Sequence, residues 1–416
     1  MSTTTQPAAI GSRLSVMMFL QFFVWGAWYV SMTGWMNTAG LGELTGWAYT
    51  VGPIAACISP IFLGLIADRF FPTQRVLAAM HLLGGLALII VPSVVGGVAA
   101  DRAKDFTHPY VLLLLVHMLC YMPTLGLTNT ISFANMSNPE KQFPMVRVFG
   151  TIGWIVGNIA VSWLPNGDKS AMQFQLAGVA GVLLGFYSLS LPHTPPPAKG
   201  KAISVREVLG LDSLKLLAKP AYAVFIVCSF LICIPLAGYY NQARNFIEFV
   251  GFEKPTFTMS YGQMSEILFM VAMPLFFVRL GVKWMLAVGM AAWVARYGLF
   301  SMGAGDKVMW MAIAGVLLHG ICYDFFFVTG FLYVDRTAPK EIRGQAQGFL
   351  VLITQGLGLG VGAKVVEKLV GNYTSETAGV KAVDWHSLWM ALAAAALVVL
   401  VVFIALFRDK GTTKTA

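Results

Sequence analysis

The stretch FPMVRVFGTIGWIVG, Phe143 to Gly157, carries an arginine inside a run otherwise apolar enough to lie in lipid. From Arg147, Thr151 follows at i+4 and Trp154 at i+7, so a guanidinium, a hydroxyl and an indole share one helical face. Gly150, Gly153 and Gly157 lie between them. A helix face without side chains admits a neighbouring helix at close range, which would seat the polar stripe inside a bundle. That pattern belongs to a helix lining a cavity. An equal reading has Arg147, near the start of the apolar run, snorkelling its head to the membrane surface.

Working outward, 57% of the 416 residues are hydrophobic and only 11% charged, which excludes a soluble domain of this length. A window of about 20 residues, enough to cross roughly 30 Å of hydrocarbon, finds twelve candidate spans. They lie near 14–36, 46–67, 75–99, 109–134, 143–164, 171–191, 220–247, 258–279, 283–303, 307–334, 344–370 and 385–407. The fold class expected is an all-α membrane protein of twelve helices. The first apolar run is long and lacks a small-residue cleavage site, so it is expected to remain as a helix. The formal charge of +9 is spread over alternate helix ends, which reports topology rather than a nucleic-acid patch. Placing the basic ends inside puts both termini in the cytoplasm of a multi-pass cell-membrane protein, the inner membrane in a Gram-negative cell. Cys57, Cys120, Cys228, Cys233 and Cys322 fall within apolar spans at no metal spacing and read as packing residues.

Along the chain, Gln21, Trp25 and Trp28 share a face of the first span, suited to packing or to stacking on a planar ligand. The second span ends in Asp68-Arg69, with Arg75 opening the third. This GxxxDR…R loop resembles the cytoplasmic signature of the major facilitator superfamily, where such a charge cluster latches neighbouring helices in one conformational state. Span four is polar on one face, with His117, Tyr121, Thr124 and Thr128, so that face is expected to be buried or wet. The proline- and lysine-rich segment from Leu191 to Pro220 is the one long hydrophilic linker, with six spans on each side. The expected domains are a tail 1–13, a half 14–191, a linker 192–219, a half 220–407 and a tail 408–416. Two parallel-repeat halves of this kind imply a substrate site midway between them.

The second half holds more intramembrane polarity. Asn241, Arg244 or Asn245, and Glu248 share a face of span seven, with Arg244 and Glu248 near its end suited to pair in the headgroup region; Gln263 and Glu266 stand at i, i+3 in span eight, and Arg296 sits near the middle of span nine. Span ten carries His319, Tyr323 and Asp324. A charge at the centre of a span costs a few kcal/mol even on the lenient insertion scale, so each needs a partner or a function. Arg296 with Asp324 is the expected ion pair. Glu266 has no basic neighbour in sequence, and burial disfavours an ionised carboxyl, which makes Glu266 the expected protonatable group. Gly356, Gly358, Gly360 and Gly362 in span eleven point to close packing or to a hinge.

Together, YMPTLGLTNTISF (121–133), FPMVRVFGTIGW (143–154), LPH (191–193), VLGLD (208–212), QMSEILF (263–269) and YDFFFVTG (323–330) resemble the nucleoside:proton symporters of the major facilitator superfamily. The resemblance runs through all twelve spans. It implies proton-driven uptake of a nucleoside, with substrate contacts on Arg147, Thr151, Trp154, Asn241, Gln263, Glu266, His319 and Tyr323, and Asp324 at the family's span-ten acid. Proton coupling falls to Glu266 and Asp324, and the conformational charge cluster to Asp68, Arg69 and Arg75. Trp154 and Tyr323 replace phenylalanines of the compared permease, His319 a tyrosine, and Gly238 a glutamine that would grip the base. A ribose donates and accepts hydrogen bonds, which suits Gln263 and Glu266, while a base offers edges to Arg147 and Asn241 and a face to Trp154 or Tyr323.

The competing reading within transport is another polyhydroxylated solute, such as a sugar or a glycosylated metabolite. A membrane-embedded enzyme is disfavoured, since the chain has no HExxH, GxSxG, P-loop or Cys/His metal spacing. A non-transporting receptor is disfavoured because the sequence carries no signalling domain. The expectation is therefore a monomer with a nucleoside such as uridine or adenosine and the lipid bilayer as partners, no nucleic acid, no metal, and no cofactor beyond the coupling proton.

Overall fold

In the computed structural model the described residues are 8–62, 70–96, 105–137, 139–196, 211–339, 342–377 and 380–408, and they are almost wholly helical. Among them nine helices are long and apolar enough to cross a membrane, from Thr73–Val94 to Trp385–Leu406. One of the nine, Pro255–Ala304, is two helices joined at Gly281, whose φ of 63° only glycine adopts without strain. Ile10–Gly26 is a shorter apolar helix.

Three expected spans are not single helices. The first stops at Gly26 and resumes at Met32–Thr38, and between them Ser31 Oγ donates to Gln173 Oε1 at 2.6 Å. Trp28 is therefore off the face shared by Gln21 and Trp25, and it packs edge-on against His117 instead. The tenth divides into Met309–Leu317, His319–Tyr323, a π-turn Asp324–Val328 and Thr329–Thr337. The eleventh contains a second π-turn, Leu352–Gly358. Such wide turns interrupt the regular ladder and gather at functional positions. The polar loop before the last span forms a short antiparallel hairpin, Thr374–Thr377 with Val380–Val383.

The chain gathers into two compact units. One comprises Met1–Val208 with Tyr240–Glu248 and Glu253–Ser260, the other Leu209–Tyr239 with Phe249–Phe252 and Tyr261–Ala416. Close helix contact dominates the first. A β-carbon at Gly153 would land on the carbonyl oxygen of Phe19, and one at Gly157 would meet Phe23 O at 2.9 Å. The bare face of the Pro139–Ser162 helix thus receives Ala8–Gly26, the close approach expected of those glycines. At the end of this unit the LPH segment acts as a staple. Gln74 Oε1 accepts from Thr194 N at 3.0 Å, and Gln74 Nε2 meets His193 Nδ1 at 3.1 Å. In the second unit a β-carbon at Gly358 would sit 2.7 Å from Cys233 Cβ, and one at Gly362 2.8 Å from Ala237 Cβ, so these span-eleven glycines serve packing against Pro220–Val250. All five cysteines are free thiols.

Candidate functional site

The first unit presents Arg147, Thr151 and Trp154, each half-buried on the Pro139–Ser162 helix. The Arg147 guanidinium lies over the Phe22 ring, 4.1 Å from its centroid, an arrangement that holds the charge against an aromatic face. Trp154 meets Trp25 edge-on at 5.3 Å, and Trp25 in turn touches Tyr29 at 5.6 Å and Tyr121 at 5.5 Å. Tyr240 joins this aromatic group through Tyr29 at 6.1 Å. The indole nitrogens of Trp25 and Trp154 are buried with no hydrogen-bond partner among the described residues. Buried N–H groups of this kind are donors in want of an acceptor. Trp25, Tyr29 and Tyr121 join the expected stripe only through tertiary packing.

Much of the polar face of span four is taken up in hydrogen bonds, although His117 Nε2 is buried with no partner among the described residues. Gln21 is fully buried; its Nε2 donates to Thr124 Oγ1 at 2.7 Å and its Oε1 meets His81 Nε2 at 2.7 Å. Tyr121 OH donates to the Gln21 carbonyl at 2.7 Å, and His117 Nδ1 meets Gly84 O at 2.9 Å. The His117 and Tyr121 rings stack at 5.6 Å. This network consumes the polarity of Gln21, Thr124 and Tyr121 in binding three helices together, so Gln21 is structural rather than a ligand group.

Asn241 is buried in the same unit. Three residues further on, Arg244 sits among charges: Nη2 lies 3.5 Å from Asp168 Oδ2, and Nη1 pairs with Glu248, whose other oxygen is 2.5 Å from Lys169 Nζ. Asp168 Oδ2 also accepts from Thr256 N at 2.8 Å. The Arg244–Glu248 pair read from the sequence is present. Asp168, on a loop far away in the chain, completes it, and no spacing signal connects the two.

The second unit presents Gln263 and Glu266, both half-buried, with His319 and Asp324 buried and Tyr323 half-buried. His319 Nε2 faces Glu266 Oε2 at 3.9 Å. The imidazole stacks on Tyr239 at 5.5 Å and 17°, with Tyr323 at 5.9 Å on its own helix. Asp324 lies within electrostatic range of Glu266, and both its carboxylate oxygens are buried without a hydrogen-bond partner among the described residues. The expected Arg296–Asp324 pair is not formed. Arg296 is fully buried but turns the other way, Nε donating to Gly315 O at 3.0 Å and the guanidinium lying 4.0 Å over the Tyr239 ring. Arg296 thus meets a carbonyl and an aromatic face where the charge list placed Asp324, an alternative invisible in a list of charged residues. At Gly238 a side chain would collide with Leu392 Cδ1, so the position of the compared glutamine is filled by an apolar contact.

Of the expected charge cluster, Arg75 is exposed on the first turn of Thr73–Ile90, whereas Asp68 and Arg69 lie outside the described residues. Among the described residues no group of three or more His, Cys, Asp or Glu is arranged to hold a metal ion.

The model of the nucleoside H+ symporter family matches residues 8–412. A protein of Escherichia coli (strain K12), YegT, named as a candidate nucleoside transporter, is 39% identical over 97% of this chain and 95% of its own length. The nucleoside permease NupG of Escherichia coli (strain K12) is 30% identical over 96% of both chains. A crystal structure of the nucleoside transporter NupG superposes with a TM-score of 0.83 at 29% identity, covering 96% of this chain and 100% of that one.

Proposed function

The chain belongs to the nucleoside H+ symporter family, and from that premise we propose that Arg147 and Asn241 meet the edges of the base, Trp154 or Tyr323 its face, and Gln263 and Glu266 the ribose, with Thr151 and His319 completing the substrate contacts. The protein is a multi-pass membrane transporter rather than an enzyme, and it imports nucleosides by proton symport. Glu266 and Asp324 carry the coupling proton. The observation that carries this assignment is the Asp324 carboxyl, buried in a membrane helix with no hydrogen-bond partner among the described residues and in electrostatic range of Glu266. Leaving such a group ionised costs several kcal/mol, whereas protonating it removes most of that cost.

The organisation that supports this chemistry is twelve spans in two six-helix halves, 14–191 and 220–407, joined by the linker 192–219, with the tails 1–13 and 408–416 in the cytoplasm. Asp68, Arg69 and Arg75 act as the cytoplasmic latch, and the two halves alternate access to the substrate by rocking. The protein works as a monomer in the bacterial inner membrane. A neutral solute crossing with one proton moves one charge, worth about 2.3 kcal/mol per 100 mV, which supports accumulation on the order of fiftyfold.

The experiment is uptake of labelled uridine and adenosine into proteoliposomes with and without an inside-alkaline pH gradient, for wild type and Glu266→Gln. Gradient-driven accumulation by wild type, reduced to simple equilibration by Glu266→Gln, is the expected result. Wild-type uptake indifferent to the gradient would remove Glu266 from coupling and leave it a ribose ligand.

A further inference from the structure

The His319–Glu266 pair is set in place by the break in span ten. The helix Met309–Leu317 ends two residues before His319, and Gly320 N, close to that break, donates to Ser265 Oγ at 3.1 Å. Ser265 Oγ in turn donates to Gly262 O at 2.7 Å. A β-carbon at Gly320 would come within 2.6 Å of Ser265 O, and one at Gly262 within 3.0 Å of His319 Cβ, so the two helices touch backbone to backbone on both sides of the pair. Contact this close leaves little freedom to slide and fixes the imidazole opposite the carboxyl.

The groups around His319 define its chemistry. Glu266 faces Nε2, and the Tyr239 ring covers one aromatic face with the Arg296 guanidinium packed on that same ring. Tyr323 and Asp324 follow on its own chain segment. His319 Nδ1 is buried with no partner among the described residues. The separation of 3.9 Å is longer than a hydrogen bond and shorter than any distance that would let a second group intervene, so closing it takes a side-chain adjustment of about 1 Å.

We infer that His319 and Glu266 form a proton-sharing dyad, and that Glu266, beside Asp324, takes up the coupling proton as part of this pair rather than by itself. The inference rests on the symport reading and adds to it the residue that completes the proton site. One proton entering the dyad bonds to Glu266 Oε2 or to His319 Nε2 and can pass between them across the shortened gap. The pair changes from a net charge of −1, with carboxylate and neutral imidazole, to zero. In the low dielectric of the bundle, the neutral form is the one that a moving helix carries at lower cost. His319 thus acts as a proton carrier in addition to any ribose contact, a role that a tyrosine at this position would not fill near neutral pH.

The test has two arms. In the first, protein with isotope-labelled histidine in lipid nanodiscs, without nucleoside, is titrated by imidazole NMR. The signal lost in His319→Gln identifies the ring, and in Glu266→Gln that signal is expected to move its titration midpoint by about one pH unit or more, the other five histidines staying in place. If His319→Gln does not fold, the single imidazole that differs between wild type and Glu266→Gln makes the identification. A spectrum of all six histidines unchanged by Glu266→Gln overturns the dyad. In the second arm, proton exchange on uridine binding is measured in weak buffer across pH. A shift of about one pH unit between wild type and His319→Gln is expected, and an unshifted profile in a variant that still binds overturns the coupling role. Wild type that binds no nucleoside would instead refute the substrate assignment, and the first arm would still decide the dyad.

Discussion

The polar group around Gln21 and the polar group around Glu266 look alike in composition, but they are built oppositely. Gln21, Thr124, His81 and Tyr121 use their hydrogen-bonding atoms on one another or on backbone carbonyls, with separations of about 2.7 Å. In the second unit Asp324 is buried unpaired among the described residues, and Glu266 faces His319 at a distance that is not yet a bond. A satisfied buried network stabilises one arrangement of helices, whereas one left incomplete stores a response to a proton or a ligand. The comparison separates scaffold polarity from working polarity, which a list of intramembrane polar residues cannot do.

The sharpest way to break the comparison is at the packing that supports the first group. Gly153→Val forces a side chain into the Phe19 backbone, and it should cost about 3 kcal/mol or more, read as loss of folded protein in detergent by thermal unfolding. Survival with unchanged stability would mean that the helix of the first span can retreat. Next, Gln21→Leu strands Thr124 and His81 and should destabilise by about 2–3 kcal/mol in the same assay. A neutral outcome would reclassify Gln21 as dispensable.

Asp324→Asn is the counterpart in the second group and should act with the opposite sign. Removing a buried unpaired carboxyl should raise thermal stability by about 1–2 kcal/mol at neutral pH while weakening gradient-driven uptake. Destabilisation would show that the native acid has a partner it needs. The smallest effect is expected at Asp384, exposed at the start of the last helix, where its side chain accepts from Ser387 N at 3.1 Å. Hydrogen bonding from the Ser387 side chain, and then from its backbone N–H, holds the Asp384 carboxyl below the usual carboxylate range. Its folded value lies below its unfolded one, so the contribution is present above the unfolded value and lost as pH falls through the folded one. Asp384→Ala should cost about 0.5–1 kcal/mol at pH 7 and less in acid, measured as unfolding midpoints at the two pH values.

Much of this was written in the chain. A 20-residue apolar period, the bare Gly150–Gly153–Gly157 face and the stripe Arg147, Thr151, Trp154 are local patterns, and lipid enforces them because it offers no partner to backbone or charge. The polar positions of spans eight and ten were legible for the same reason. Pairing was not. Arg296 and Asp324 were the natural couple by charge, yet Arg296 lies on the Tyr239 ring and His319 faces Glu266. Trp25 and Tyr29 meet Trp154, and Tyr121 meets Trp25, only because distant helices touch, and Asp168 reaches Arg244 from a loop that carries no motif. Sequence by itself determined which residues must leave lipid, since that is a property of each side chain and its helical face. Which partner each then met was decided only by tertiary structure, because a contact within 4 Å depends on where turns such as Gly26 and the π-turn at Asp324 redirect the helices.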